Sequence, residues 1–422
     1  MARRLTHPAA AIVVTGSELV RGDRRDLNGP FLAASLLGLG IEPARITIVG
    51  DDPVALEGAF RDGLTLDLLV VSGGLGPTHD DRTVELLARA AGLVLEVDDQ
   101  LEQRIEERSR AAAERLQRPY ADFADGVRKQ ATVPAGALVG GLAGTAPALA
   151  FAVGGCAVAV LPGPPRELQA LWPLVLELEP LRDVRARARV LGRRTLRLFG
   201  VSESNVAQAL AAAGGDGDGV EATICARDFE IHVDLVVEPG AEDRADALVA
   251  QLAEPLAPFL YGRSEQPVEE LVLSLCRERR LTLATAESCT GGMVAERLTS
   301  VPGSSDVFSG AIVAYSDAMK QAELGVPADV LREHGAVSAE TAGAMARGVR
   351  TRLGVDVGVS VTGIAGPGGG TPEKPVGLVY LHASAPGAEL AADFSWGGDR
   401  ETVRRRAAVT ALHLVRRLVT EL

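Results

Sequence analysis

Leu66-Asp67-Leu68-Leu69-Val70-Val71-Ser72-Gly73-Gly74-Leu75-Gly76-Pro77-Thr78-His79-Asp80-Asp81-Arg82 decides the fold class. An apolar strand over 66–72 leaves through a glycine-rich turn and runs into a helix over 82–91. A strand with no polar face belongs in a parallel sheet covered on both sides. The flanking segments repeat the alternation. Residues 10–15 read as a strand, 28–39 as a helix ending at Gly40, 43–49 as a strand and 54–64 as a helix. Downstream come a charged amphipathic helix over 100–117 and a hairpin of strands 148–153 and 156–161. The rigid turn Pro162-Gly163-Pro164-Pro165 opens a helix over 166–176. These elements predict an α/β domain over residues 1–176.

Residues 177–262 read as a small α+β unit in the order β-α-β-β-α. Its strands are expected at 187–198, 221–226 and 230–237, its helices at 203–213 and 242–256. His232 alternates with apolar neighbours and reads as a strand residue rather than a ligand. From 263 to 422 the α/β alternation returns. Helices are expected at 268–278, 293–298, 339–352 and 400–419, and strands at 282–286, 311–315, 355–362 and 377–383. The predicted architecture is two three-layer α/β domains joined by a small α+β domain.

Composition narrows the function classes. The 422 residues carry 43 Lys and Arg against 56 Asp and Glu, a net charge of −13. An extended nucleic-acid groove is therefore not expected. Cys156, Cys225, Cys276 and Cys289 form no C-x-x-C pair, so no zinc knuckle or disulfide framework is indicated. Residues 135–165 lack any charge, but Gly140-Gly141, Pro147 and Gly154-Gly155 break them into strand-sized pieces, against a membrane span. The start, Met1-Ala2-Arg3-Arg4, shows no signal-peptide pattern, and a cytoplasmic location is expected.

Lysine occurs only at Lys129, Lys320 and Lys374. Where arginine supplies nearly all positive charge, a retained lysine suggests a task arginine does badly, such as losing a proton. Lys320 closes Ala314-Tyr315-Ser316-Asp317-Ala318-Met319-Lys320. Some thirty residues earlier stands Ala286-Glu287-Ser288-Cys289-Thr290-Gly291-Gly292, between a strand end and a helix start. Ser288 and Lys320 point to a Ser/Lys amidohydrolase, with Ser288 as nucleophile and Lys320 as base. Cys289 is the rival nucleophile, but no histidine lies near it in sequence; His334 is the nearest candidate. Lys320 needs burial without a carboxylate partner to be neutral, and Asp317 is expected to face out. Tyr315, at its strand end, is a third candidate. Backbone amides around Thr290, Gly291 and Gly292 suit an oxyanion or a phosphate. A second glycine-rich loop, Thr362-Gly363-Ile364-Ala365-Gly366, together with Arg400, suggests a phosphorylated substrate. Lys374 can hold that loop or meet phosphate. No cofactor is expected here.

At the opening stretch, amides of Gly73, Gly74 and Gly76, with Thr78, suit phosphate. Asp80 and Asp81, with Glu18 from Thr15-Gly16-Ser17-Glu18, offer oxygen ligands for a divalent metal. Asp26 and Asn28 lie further along. Helix capping is the competing role for Asp80 and Asp81.

Together these motifs resemble the CinA family. The N-terminal part is similar to its molybdopterin-binding-type domain through Gly16-Ser17-Glu18-Leu19, Gly73-Gly74-Leu75-Gly76-Pro77-Thr78, Asp80-Asp81, Gly144-Thr145-Ala146-Pro147 and Leu161-Pro162-Gly163-Pro164-Pro165. The last part is similar to its nicotinamide-nucleotide amidase domain through residues 286–292, Tyr315-Ser316, Lys320, His334-Gly335-Ala336-Val337-Ser338, residues 363–367 and Lys374-Pro375-Val376-Gly377. The middle part resembles the family's small KH-like domain. The resemblance implies hydrolysis of nicotinamide mononucleotide to nicotinic acid mononucleotide and ammonia at Ser288 and Lys320. It further implies metal-dependent cleavage of ADP-ribose in the N-terminal domain, and a homodimer. Two positions depart from the family pattern: Ala148 stands where glycine is usual, and Leu142-Ala143 where Asn-Pro is frequent. Both touch the N-terminal motifs. Two other readings follow from the same motifs: a non-catalytic nucleotide- or pterin-binding N-terminal module, and a recombination-associated scaffold.

Overall fold

A computed structural model describes residues 7–422, the side chains at 122 and 123 excepted. The start whose composition bears on targeting, residues 1–6, lies outside the described residues. The chain divides into two compact units, Met1–Gly192 and Arg193–Leu422.

The first unit is built on a six-stranded sheet in the order Glu42–Val49, Ala9–Thr15, Leu68–Ser72, Cys156–Leu161, Pro147–Val153, Leu138–Leu142. The first four strands are parallel and the last two pair antiparallel. Successive strand residues point to opposite faces. Ala11, Val13, Leu69, Val71, Val158 and Val160 pack with Leu56, Phe60, Leu86 and Ile105 on one side. Ala10, Ile12, Val14, Leu68, Val70 and Ala159 pack with Leu32, Leu36, Leu168 and Trp172 on the other. Helices thus cover both faces, giving three layers. The expected hairpin forms as Pro147–Val153 and Cys156–Leu161.

The strand expected from residue 187 is shorter than its sequence suggests. Residues Glu179–Arg187 form a helix instead, and the strand starts at Gly192. Leu181 and Val184, three residues apart, bury one helical face in the first unit's core. The arginine alternation after them imitates a strand period. Helix Ala121–Ala131 and strand Leu138–Leu142 have no counterpart among the elements expected from the sequence.

In the second unit, strands Val220–Arg227, Glu230–Val237, Gly192–Leu198 and Leu260–Gly262 form a four-stranded sheet in that order. Helices Glu203–Ala212 and Glu242–Leu256 bury Val206, Leu210, Leu248 and Leu252 in the same cluster as its strands. A five-stranded sheet follows, ordered Phe308–Val313, Leu283–Glu287, Val357–Gly363, Leu378–Ala385, Ala388–Ser395. Its first three strands are parallel and the rest antiparallel. Leu283, Val357, Val359 and Val361 face helices Val268–Arg279 and Arg400–Glu421. Ala284 and Ala286 face Met345 and Val349 of helix Ala339–Leu353 on the other side. This is again three layers. Among the described residues no helix is long and apolar enough to cross a membrane.

Candidate functional site

Ser288 follows the fully buried strand Leu283–Glu287. It therefore sits at the carboxyl ends of the sheet's parallel strands, where open α/β folds hold their ligands. Its own N–H donates to Val361 O at 2.9 Å, fastening the turn to the neighbouring strand. Gly291 and Gly292, at φ 63° and 98°, then swing the chain into helix Met293–Thr299. Only glycine adopts such angles freely.

The turn is held from inside by Glu287, which is fully buried. Its carboxylate accepts from Gly292 N at 2.9 Å, Val294 N at 3.1 Å and Ala295 N at 2.9 Å, and from Thr285 Oγ1 at 3.2 Å. It thereby satisfies amides that a helix start leaves free. From outside, Arg404 donates to Cys289 O at 3.1 Å and Thr290 O at 2.8 Å. The amide of Gly291 donates to Ser288 O at 3.1 Å. Two amides expected to face a ligand, those of Gly291 and Gly292, are thus engaged within the turn. Among the described residues the N–H groups of Cys289 and Thr290 donate to no backbone carbonyl and not to Glu287, and the Cys289 N–H faces its own thiol. Thr290 is itself fully buried, with an unpartnered Oγ1 among the described residues.

Lys320 lies on helix Asp317–Leu324, whose start is capped by Ser316 Oγ accepting from Met319 N at 3.3 Å. Lys320 and Leu324, one turn apart, are the helix's buried residues. Only 1% of Lys320 is exposed. Its Nζ lies 3.2 Å from Ser288 Oγ and 3.2 Å from Ala314 O. Burial holds the Lys320 amine below the ordinary lysine range, against weaker pulls from Asp317 and Cys289. Asp317 faces solvent, as expected. Cys289 is also buried, and burial pushes its thiol up to about 12. A thiol so held is not a thiolate at neutral pH, which favours Ser288 as the nucleophile.

The remaining C-terminal candidates surround this pair rather than touch it. Tyr315 lies two residues past its strand end and is 60% exposed. Its hydroxyl accepts from Arg400 Nη2 at 2.7 Å and bonds neither Ser288 nor Lys320. Arg400 also donates to Gly366 O at 2.8 Å, joining both to the second glycine-rich loop. Thr362 is buried and donates to Ala336 O at 2.7 Å. A side chain at Gly363 would meet Leu378 O at 2.7 Å, so close strand packing explains that glycine. Lys374 donates to His334 O at 2.6 Å and Val337 O at 2.7 Å, and holds its loop.

In the first unit, a cavity of about 590 Å³ opens at the carboxyl ends of strands Ala9–Thr15 and Leu68–Ser72. Glu18, Asp26, Asn28, Gly73, Gly74, Asp80 and Asp81 line it. Gly76 lies beside it, in a smaller cavity of about 230 Å³ with Asp81 and Lys129. Two buried atoms in the cleft, Thr15 Oγ1 and Asn28 Oδ1, have no partner among the described residues. Such atoms call for a ligand or a water. The carboxylates do not fit a resident metal as they stand. Asp81 Oδ2 accepts from Thr78 N at 3.0 Å and Thr78 Oγ1 at 2.5 Å, so it ties its own loop. Asp80 pairs with His79 at 2.9 Å in solvent. Glu18 is exposed, with its carboxylate against Gly16. Among the described residues no group of three His, Cys, Asp or Glu side chains converges to hold a metal. Ala148 and Leu142 are buried in strands outside the cavity wall.

Comparison with known proteins agrees with this architecture. Residues 11–182 match the probable molybdopterin binding domain, 193–285 the damage-inducible protein CinA KH domain, and 265–419 the CinA C-terminal domain. A CinA-like protein of Mycobacterium sp. strain MCS is 44% identical over 424 residues, spanning 98% of this chain and 99% of that protein. The chain belongs to the CinA family. A CinA-like protein of Mycolicibacterium paratuberculosis strain K-10 is 42% identical over 431 residues, covering 98% of each. A solved competence/damage inducible protein from Agrobacterium tumefaciens is 40% identical, covering 37% of this chain and 99% of its own, with a TM-score of 0.35. In this CinA-family chain, sequence reasoning missed Glu287 and Arg404. Glu287 carried a signal, an acidic residue ending an apolar strand just before a helix start. Arg404 carried none, because its partners lie 115 and 114 residues away.

Proposed function

We propose that the second unit is a nicotinamide-nucleotide amidase that converts nicotinamide mononucleotide to nicotinic acid mononucleotide and ammonia. The observation that carries this reading is a buried lysine 3.2 Å from a serine hydroxyl on a sheet-edge turn. A neutral Lys320 amine takes the Ser288 proton as Oγ attacks the carboxamide carbon. The tetrahedral oxyanion is stabilised by the N–H groups of Cys289 and Thr290, the amides of the turn that neither Ser288 O nor Glu287 engages. Lys320 then returns its proton to the departing nitrogen, which leaves as ammonia. Water, deprotonated by the same amine, opens the resulting Ser288 ester to the carboxylic acid and restores the serine. Arg400 supplies a positive charge for the substrate phosphate, and Tyr315 orients Arg400.

The reading is tested by ammonia release from nicotinamide mononucleotide by wild type, Ser288→Ala and Cys289→Ser. Loss in the first variant and retention in the second are expected. Loss only in Cys289→Ser would transfer the nucleophile to the thiol.

For the first unit we infer a nucleoside-diphosphate cleft that takes ADP-ribose. Support comes from the orphaned Thr15 and Asn28 oxygens beside the Gly73-Gly74 turn. AMP release from ADP-ribose with added Mg²⁺ or Mn²⁺ decides between hydrolysis and binding alone. The family likeness further suggests a homodimer, which light scattering checks.

A further inference from the structure

Strands Val220–Arg227 and Glu230–Val237 form an antiparallel hairpin in register Arg227 to Glu230. Asp228 and Phe229 make its two-residue turn at φ 53° and 67°. Such turns favour Asn-Gly or Asp-Gly, because left-handed backbone is costly for other residues, and a phenylalanine there is a conformational expense. Strain of this kind persists where surroundings over-determine it.

The surroundings are two helices of the amidase fold. Asp228 Oδ2 accepts from Arg297 Nη1 at 3.1 Å, and Asp228 Oδ1 from Arg405 Nη2 at 2.5 Å. Arg297 is held a second time by Glu269 at 2.8 Å, and its side chain is only 18% exposed. The Arg406 guanidinium lies over the Phe229 ring at 4.9 Å. Glu230 pairs with His413 at 2.7 Å, both buried.

Those contacts fall on the helices that build the serine turn. Arg297 belongs to Met293–Thr299, whose start is bonded to Glu287 beside Ser288. Arg405, Arg406 and His413 belong to Arg400–Glu421, which also carries Arg400 and Arg404. One hairpin turn therefore grips both helices that frame the turn. We propose that Asp228 is a positioning residue of the amidase site: its carboxylate ties Arg297 to Arg405 and so fixes the Ser288–Gly292 turn against Arg404. The small middle domain thereby becomes a part of the catalytic device. The proposal rests on the amidase reading of Ser288.

The test uses the full chain with Asp228→Asn, which keeps a residue tolerant of left-handed backbone and removes the charge. Two readouts are taken: ammonia release from nicotinamide mononucleotide, and hydrogen exchange of residues 288–299. The expected result is faster exchange in that segment, a kcat lower by about 5–10-fold and a KM within about 2-fold, because small misplacement of a nucleophile slows chemistry more than binding. Should Asp228→Asn fold poorly, Asp228→Gly provides the same loss of charge with an unstrained turn. Unchanged exchange in a folded variant overturns the proposal, whatever happens to kcat. Faster exchange with kcat unchanged overturns it too. Faster exchange in the variant, with a wild type that releases no ammonia, leaves the strut standing and removes the amidase reading instead.

Discussion

The turns after Ser72 and after Glu287 are built alike. Each follows a buried parallel strand, uses two consecutive glycines at positive φ and leads to a helix. Their surroundings differ. The Ser288 turn is closed: Glu287 fills it, Arg404 clasps it and Lys320 is sealed against it. The Gly73-Gly74 turn faces a cavity whose carboxylates are solvated or tied to their own loop. One backbone device thus stands in two environments. Burial gives a reactive group a shifted proton affinity, whereas exposure leaves a binding surface.

The largest effect that can break this contrast is at the nucleophile. Ser288→Ala is expected to lower ammonia release by at least about 10³-fold, as loss of an activated nucleophile does in other hydrolases. Retained activity would end the distinction between the closed and the open turn. Next comes Glu287→Gln, which keeps the shape of the side chain and weakens three charge-assisted bonds to backbone N–H groups. A stability loss of about 1.5–3 kcal/mol is expected, measured by denaturant unfolding, together with a lower kcat. A neutral outcome would make the turn self-supporting.

The pH dependence sharpens the contrast further. Burial depresses the Lys320 pKa in the folded state, so the unfolded chain binds the extra proton first as pH falls. The Lys320 contribution is therefore most favourable above the free-lysine pKa of about 10.4. It declines as pH drops toward the folded value and is flat below it. Wild type is expected to lose stability relative to Lys320→Met across that window. A constant difference between the two would contradict a depressed lysine. The smallest effect belongs to the open turn. Asp80→Asn is expected to change stability by less than about 0.5 kcal/mol, since its pairing with His79 is solvent-exposed.

Much of this was legible in the sequence, for identifiable reasons. Both glycine turns show because strand, glycines and helix are contiguous. The scarcity of lysine singled out Lys320, and burial on helix Asp317–Leu324 agrees with that reading. What escaped depends on distant partners. Arg404 reaches a turn more than a hundred residues away, and Asp228 looks like an ordinary hairpin residue until Arg297 and Arg405 converge on it. Residue type suggests ligand-facing amides at Gly291 and Gly292, yet those amides close the turn on Ser288 O and Glu287. Helix Glu179–Arg187 was hidden because alternating arginines followed its apolar pair. For Asp80, Asp81 and Glu18, residue type suggested a metal, while their positions depend on loop geometry that type does not encode.

The central claim, that a neutral Lys320 deprotonates Ser288, is tested most directly by ammonia release from nicotinamide mononucleotide by Lys320→Arg in a folded protein. Arginine keeps the charge and cannot accept the proton. A fall of about 10²-fold or more is predicted, in line with loss of a general base. Activity equal to wild type would contradict the account.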